Sequence, residues 1–371
     1  MLTCLEDIDM KELSEVFDPK SQDSFVSLYL DTRRIDEKFV EKRTSICRSV
    51  FKINRPMLDN FDKTMETIKS YLAKNPKEEG QAGLAIFASD THDFFKAYKL
   101  SLPVENMLIA DSSPYIRPLA RLIDDYETFG LVLLDSQRAR LYVVCSGKID
   151  FKKKKAKDIM NKHKKGGWSQ ARFARLRQGA IDKFMKEVAE DVEELFSKDH
   201  VIKVVIAGPG STKVTFQEYL SQHIRGKIVE LIETEFDEAE HTLVSRAKEV
   251  VIQDEKARDD EMVAKWREEI LKSGLAVYGV TETKVAVMNG QVEVLLVDKD
   301  HRIVGWICEH CQFLDTGKRA ECPYCGGDAN EVDVIEEIVE FAIRHDTKID
   351  FVESNPLLAE LGGLGALLRY K

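Results

Sequence analysis

No part of this 371-residue chain stays apolar for long. Apolar runs such as Gly130–Leu134 and Val204–Ala207 fall far short of the roughly 20 residues a membrane-spanning helix needs. Nine prolines and twenty glycines are too few for a fibrous or disordered chain. The opening Met1-Leu2-Thr3-Cys4-Leu5-Glu6-Asp7 has neither the basic start nor the apolar stretch of a secretory leader, so a cytoplasmic location is expected. Positive charge is the minority: 55 Lys and Arg stand against 65 Asp and Glu, for a net charge of −10. That balance argues against a general nucleic-acid binder. The length predicts two or three domains, each able to bury its own core.

The scarce positive charge is concentrated. Between Lys152 and Arg177, eight lysines and three arginines face only Asp158, a local charge of +10. A cationic patch on an acidic body suits local phosphate binding, with the body repelling RNA elsewhere. The plain alternative is a solvated lysine-rich loop.

Cys4, Cys47 and Cys145 stand apart in the sequence, whereas four cysteines cluster. Cys308-Glu309-His310-Cys311 and Cys322-Pro323-Tyr324-Cys325 are separated by ten residues. Each pair puts two thiolates on one tight turn, and two such turns close a tetrahedron around Zn²⁺. Four thiolates leave no open position, so the ion is expected to be structural; His310 is a weaker substitute ligand. Two disulfides are the alternative reading.

Alternation predicts strands at Ser24–Leu30, Gly83–Ala88, Phe94–Leu100, Leu131–Leu134 and Arg138–Cys145. A helical pattern runs from about Glu37 to Asn75, with a break near Pro56. After the basic segment, Phe173, Leu176, Ala180, Phe184, Val188, Val192 and Leu195 recur at steps of three and four, the mark of a core-facing stripe. Val201–Ala207 reads as a buried strand ending at Gly208-Pro209-Gly210, with helices following to about Lys256 and a charged stretch, Asp254–Glu261, before another helix. The last part has strands at Glu293–Val297 and Ile349–Glu353 and a helix at Val334–His345. The expected fold is α/β: three α/β units in series, 1–129, 130–272 and 273–371, with a zinc ribbon over 306–328 inserted in the last.

Lys162-His163-Lys164-Lys165-Gly166-Gly167-Trp168-Ser169-Gln170 stands between the lysine run and the long helix. Paired glycines admit backbone angles closed to other residues and let the chain approach a ligand closely. The helix that follows begins with unpaired amides, which suit a phosphate or a developing oxyanion. The Gln170 amide both donates and accepts, so it can orient water without titrating. A mobile glycine turn with no catalytic part is the other reading.

With these segments in view, the chain resembles the class-one peptide-release-factor family of archaea and eukaryotes, from about Ser24 to Tyr370. Val204–Lys213, containing Ala207-Gly208-Pro209-Gly210-Ser211-Thr212-Lys213 and followed by Tyr219-Leu220, is similar to a signature of its middle domain. Ala276-Val277-Tyr278-Gly279, the ribbon and the ending Leu361–Tyr370 are similar to its C-terminal domain. The glycine loop occupies the place of the family's Gly-Gly-Gln motif. Here Trp168 and Ser169 separate the glycines from Gln170, a Gly-x-x-Gln arrangement similar to that of the ankyrin-repeat and zinc-finger peptidyl-tRNA hydrolases and their bacterial and archaeal relatives. The family's Asn-Ile-Lys-Ser tetrapeptide is absent, the segment reading Arg43-Thr44-Ser45-Ile46-Cys47-Arg48; its Tyr-x-Cys-x-x-x-Phe motif is replaced by Leu108-Ile109-Ala110-Asp111-Ser112-Ser113.

The resemblance implies hydrolysis of the peptidyl-tRNA ester on the ribosome, in codon-independent rescue or quality control. It implies Gly166, Gly167 and Gln170 as the catalytic loop. It implies Lys162, His163, Lys164, Lys165, Arg172, Arg175 and Arg177 as contacts to ribosomal or transfer RNA, with His163 as general base the alternative. Trp168 either stacks on a base or packs under the loop. The implied partners are the large ribosomal subunit with its rRNA and peptidyl-tRNA, and a translational GTPase or ribosome-splitting ATPase at the C-terminal unit; the protein would act as a monomer. A Pelota-type rescue factor without hydrolysis and a conventional stop-codon factor are the alternatives. A metal-dependent nuclease would need an open metal site or paired acids, which a closed four-cysteine ribbon does not supply.

Overall fold

The computed structural model describes residues 3–371 except 19–22, 35–36, 147, 158–167, 199–200, 309, 312 and 354. It divides into two compact units, one of Met1–Asp125 with Asp259–Lys371 and one of Tyr126–Arg258. Among the described residues no helix is long and apolar enough to cross a membrane.

In the first unit, α1 (Met10–Glu15) precedes β1 (Phe25–Asp31). The helical stretch expected from 37 to 75 is two helices, α2 (Glu37–Phe51) and α3 (Arg55–Lys74). At the break the Asn54 side chain accepts the Met57 N–H at 3.4 Å, and Pro56 occupies the first turn of α3, where its missing N–H costs least. Strands β2 (Gly83–Ser89), β3 (Phe94–Leu100) and β4 (Met107–Asp111) join β1 in an antiparallel sheet of order β3-β2-β1-β4. Phe61, Met65 and Ile68 of α3 cover Val26, Leu28, Leu84 and Ile86. Helix α4 (Arg117–Asp125) follows.

The second unit contains β5 (Phe129–Leu134), β6 (Arg138–Cys145), β7 (Lys148–Ala156), α5 (Trp168–Lys198), β8 (Lys203–Gly208), α6 (Thr212–Phe216), α7 (Gln222–Arg225) and β9 (Ile228–Glu233), and α8 (Glu240–Leu271) begins in it. Its sheet has the order β7-β6-β5-β8-β9, parallel through β5, β8 and β9 and antiparallel through β6 and β7. Phe184, Val188, Val192 and Phe196 of α5 cover one face, on Val132, Leu141, Val204 and Ile206. Leu243, Val244, Ala247 and Val251 of α8 cover the other, on Leu131, Leu133, Tyr142 and Val205.

Two expectations and one alternative reading are corrected here. The apolar stripe of α5 is not core throughout: Phe173 and Leu176 are 44% and 54% exposed. Its 31 residues extend about 46 Å, whereas a nine-residue strand extends only about 30 Å, so the helix overshoots the sheet it covers. The lysine run is not a loop but the edge strand β7, where lysines protect an open ladder from pairing with another chain. Asp254–Glu261 interrupts nothing and lies within α8, because an exposed helix face tolerates dense charge.

The rest of the first unit runs β10 (Ala276–Tyr278), α9 (Gly279–Met288), β11 (Val292–Asp298), β12 (Val304–Cys308), β13 (Leu314–Thr316), β14 (Ala329–Asp333), α10 (Val334–Arg344), β15 (Lys348–Val352), α11 (Pro356–Glu360) and β16 (Leu364–Leu368). One sheet has the order β10-β16-β11-β15, and the three-stranded ribbon β13-β12-β14 is inserted between β11 and α10. Ile335, Ile338, Val339 and Ala342 of α10 cover Leu295, Val297, Leu364 and Ala366. The opposite face packs on Trp266 of α8, whose Nε1 donates to the Val277 carbonyl at 2.9 Å. A Cβ at Gly365 would lie 2.5 Å from the Trp266 ring, so this close approach requires glycine.

Helix α10 also ties the first and last parts of this unit together. The Ser113 hydroxyl donates to Glu340 at 3.0 Å, and the Arg117 amide donates to Glu336 Oε1 at 3.0 Å. The Arg117 guanidinium donates to Asp333 at 3.0 Å and to the His301 carbonyl at 2.9 Å, while Arg344 donates to Glu340 at 3.0 Å. Glu336 and Glu340 are 4% and 2% exposed, and Glu336 Oε2 has no hydrogen-bond partner among the described residues. Burial pushes Glu336 up to about 8 and Glu340 well above the usual carboxylate range.

Candidate functional site

The residues singled out in the basic segment fall into two groups. Lys162, His163, Lys164, Lys165, Gly166 and Gly167 lie outside the described residues. Gln170 is in the first turn of α5, since the helix starts at Trp168 rather than after the motif. The next turns expose Arg172 and Arg175 beside Phe173 and Leu176, and half-bury Arg177, whose Nε is enclosed without a hydrogen-bond partner among the described residues. Guanidinium groups interleaved with an aromatic ring can hold phosphates and stack on bases.

The lysines of β7, and Lys157 one residue beyond it, are arranged differently. Lys153 and Lys155 both donate to Asp191, at 2.9 and 2.7 Å, and Lys157 donates to Glu187 at 3.2 Å. On the other face Lys152 pairs with Glu240, which also accepts from the Tyr142 hydroxyl at 3.0 Å. Four of the cations attributed to a free patch, Lys152, Lys153, Lys155 and Lys157, are thus paired within the unit. Asp191, Glu187 and Glu240 were not identified from the sequence. A signal was present: two acids four residues apart on a helix, opposite alternate lysines of a strand.

At the end of β8 the chain turns through Gly208-Pro209-Gly210. A Cβ on Gly208 would meet the Leu134 carbonyl oxygen at 2.0 Å, and Gly210 has φ +61°, so both positions require glycine. Buried Lys213 holds this turn: its Nζ donates to the carbonyls of Gly208 and Gly210 at 3.0 and 2.7 Å and pairs with Glu233, whose other oxygen accepts the Gly210 N–H at 2.8 Å. The Lys213 contact and the Gly210 amide keep the Glu233 carboxyl below its usual range. These residues shape the loop after β8.

The four ribbon cysteines come together. Their sulfurs all lie within 4.8 Å of one another. Cys308 Sγ is 3.4 Å from Cys325 Sγ and Cys311 Sγ is 3.7 Å from Cys322 Sγ. A disulfide needs about 2.05 Å, so the two-disulfide alternative fails and all four are free thiols. Tetrahedral Zn–S bonds of about 2.3 Å place sulfurs about 3.8 Å apart, and the cluster fits a metal of that kind. The knuckles are preformed: the Cys322 amide donates to the Gly327 carbonyl at 2.8 Å, and Gly326 takes φ +70°. His310 is exposed and is not in the cluster.

Comparison with known proteins agrees with this arrangement. The family described as bacterial archaeo-eukaryotic release factor family 10 matches residues 114–251, and the domain described as eRF1 domain 3 matches residues 256–371. The chain is 30% identical to peptide chain release factor subunit 1 of Archaeoglobus fulgidus over 289 residues, 70% of each chain. To the protein of the same description from Methanosphaera stadtmanae it is 26% identical over 401 aligned positions, 97% of this chain and 96% of the other. Among solved structures, archaeal translation termination factor aRF1 is similar at 16% identity and a TM-score of 0.29, covering 100% of this chain and 99% of that one. Archaeoglobus fulgidus Pelota is similar at 12% identity and a TM-score of 0.35, covering 100% and 94%.

Proposed function

Since this chain belongs to the archaeal and eukaryotic class-one peptide chain release factor family, we propose that it promotes hydrolysis of the peptidyl-tRNA ester on the ribosome, in codon-independent rescue or quality control. The observation that carries this reading is the start of α5. Gln170 stands in its first turn, separated from the glycine pair by Trp168 and Ser169, and the exposed Arg172, Phe173, Arg175 and Leu176 follow. An ester needs a positioned water, donors for the tetrahedral oxyanion and a proton for the leaving ribose hydroxyl. In this reading Gln170 positions the water through its amide and backbone N–H, and Gly166 and Gly167 let the chain approach the ester. Lys162, His163, Lys164, Lys165, Arg172, Arg175 and Arg177 hold RNA phosphates. Residues 130–272 serve as the domain that carries this chemistry. RNA supplies most of the remaining machinery, so the free protein is a poor hydrolase. Codon independence is supported by the two segments that lack decoding motifs, Arg43–Arg48 within α2 and Leu108–Ser113, which begins in β4. Zn²⁺ is the ion proposed for the ribbon, held by Cys308, Cys311, Cys322 and Cys325 and structural because four thiolates close its coordination shell. A translational GTPase or ribosome-splitting ATPase is the proposed protein partner of the C-terminal part.

Peptide release from stalled ribosomes, with and without a stop codon in the vacant site, tests the reading. The wild type releases peptide in both cases, and Gln170→Ala slows release by about 10²–10³-fold without loss of ribosome binding. Undiminished release by the variant ends the catalytic assignment. Binding without release by the wild type identifies a Pelota-type factor, and release only at a stop codon a conventional one. Metal analysis of the purified chain finds one zinc per molecule, lost in Cys322→Ser.

A further inference from the structure

Two lysines of β7, and Lys157 one residue beyond it, grip α5. Side chains alternate along a strand, and Lys153, Lys155 and Lys157 share the face that α5 covers. Lys153 Nζ donates to Asp191 Oδ1 at 2.9 Å; Lys155 Nζ donates to Asp191 Oδ2 at 2.7 Å and to the Glu187 carbonyl at 3.0 Å; Lys157 Nζ donates to Glu187 Oε1 at 3.2 Å. Asp191 and Glu187 are one helical turn apart, so the ladder runs along both elements. Desolvation pushes Asp191 upward, yet the hydrogen bonds from Lys155 and Lys153 outweigh it and hold the carboxyl below its usual range. On the opposite face Lys152 pairs with Glu240 and lies 5.5 Å from the centre of the Tyr142 ring. A lysine engaged in this way is a poor phosphate ligand, because it must first leave a carboxylate.

β7 ends at Ala156 and α5 begins at Trp168, so the ladder holds the two elements that flank the glycine pair in sequence. Gln170 lies 21 residues before Asp191. At 1.5 Å per residue that is about 30 Å, and a tilt of about 5° at the ladder moves the helix start by about 2–3 Å. Misplacement by about 1 Å can cost about 10² in rate at a reacting centre. We infer that Lys153, Lys155 and Lys157, through Asp191 and Glu187, are positioning residues that aim the start of α5, and that they are not contacts to RNA. This rests on the reading of Gln170 given above.

The test uses the full chain in two measurements. On stalled ribosomes, Asp191→Asn slows saturated release about tenfold with undiminished ribosome affinity. Lys157→Glu does the same, and the exchanged pair Lys157→Glu with Glu187→Lys returns release to within about twofold of the wild type. In the free protein, amide exchange over Phe151–Ala156 and over residues 172–190 accelerates in Asp191→Asn and in Lys157→Glu, and reverts in the exchanged pair. The inference is overturned if exchange is unchanged in the single variants. It is equally overturned if Lys153→Met and Lys155→Met weaken ribosome binding and each flatten its salt dependence by about one phosphate contact. Accelerated exchange in a protein whose wild type releases no peptide would uphold the ladder and remove the reading of Gln170 instead.

Discussion

The two units treat charge in opposite ways. Between β7 and α5, three half-exposed lysines meet two acids: Lys153 is held above its usual range, first by its hydrogen bond to Asp191, while Asp191 is held below its own. At α10 the count is reversed. Glu336, Glu337 and Glu340 converge with Asp111 and Asp333 on Arg117 and Arg344, and the glutamates are driven toward the neutral form by burial first; neighbouring glutamates add to this at Glu337 and Glu340, while Arg117 opposes it at Glu336. Carboxylates outnumbering cations in a dry place take up protons; carboxylates matched by lysines beside water do not.

The sharpest way to break this contrast is Arg117→Ala. It leaves Asp333 and the His301 carbonyl without their buried guanidinium while keeping the backbone amide that Glu336 accepts, and a loss of about 3–5 kcal/mol is expected in the first unit. Urea unfolding followed through the fluorescence of buried Trp266 and Trp306 measures it, and a loss below about 1 kcal/mol would mean that the junction does not depend on this ion pair.

Next in size is the pH response. Glu336 has a folded value near 8 against an ordinary 4.5. Its stabilising contribution is therefore fully present below pH 4.5 and declines as pH rises through about 8. Glu336→Gln keeps an acceptor for the Arg117 amide and removes the titration, so the variant is expected to be more stable than the wild type by about 2 kcal/mol at pH 8 and to lose the slope between pH 5 and 8. An unchanged slope would assign the titration elsewhere in the cluster. The Asp191 pairs run the other way: their contribution is present above the ordinary aspartate value of 3.8 and is lost as pH falls below it.

Asp191→Asn should lower the stability of the second unit by less than about 1 kcal/mol, because half-exposed pairs contribute little, even though release falls about tenfold. Thermal unfolding measured alongside release separates aim from stability. Raising NaCl to about 0.5 M has the smallest effect, a few tenths of a kcal/mol in the second unit and none at the α10 junction, since ions screen only what they reach.

Much of this was legible in the residues themselves. Cys308-x-x-Cys311 and Cys322-x-x-Cys325 carry their geometry within two short turns, so spacing was enough to anticipate the cluster. Alternation located β1, β2, β3, β5 and β6 to within a residue or two, because β1, β2, β5 and β6 each bury at least one face and β3 packs half-buried Phe95 and Ala97 on the core. β9 was missed: Ile-Val-Glu-Leu-Ile-Glu, Ile228–Glu233, suits a helix as well as an edge strand, and only its parallel pairing with β8 decides the matter. Phe173 and Leu176 continue the periodicity of α5 past the end of its sheet, and periodicity cannot say where a partner surface stops.

Local spacing, then, determined the ribbon, the glycine pair ahead of Gln170 and half of the strands, since each depends on residues a few positions apart. Tertiary structure alone decided which lysines are engaged and which glutamates are dry. Lys155 finds Asp191 across 36 residues and Ser113 finds Glu340 across 227, and a group's charge depends on the neighbours and water it meets after folding, which chain order does not specify.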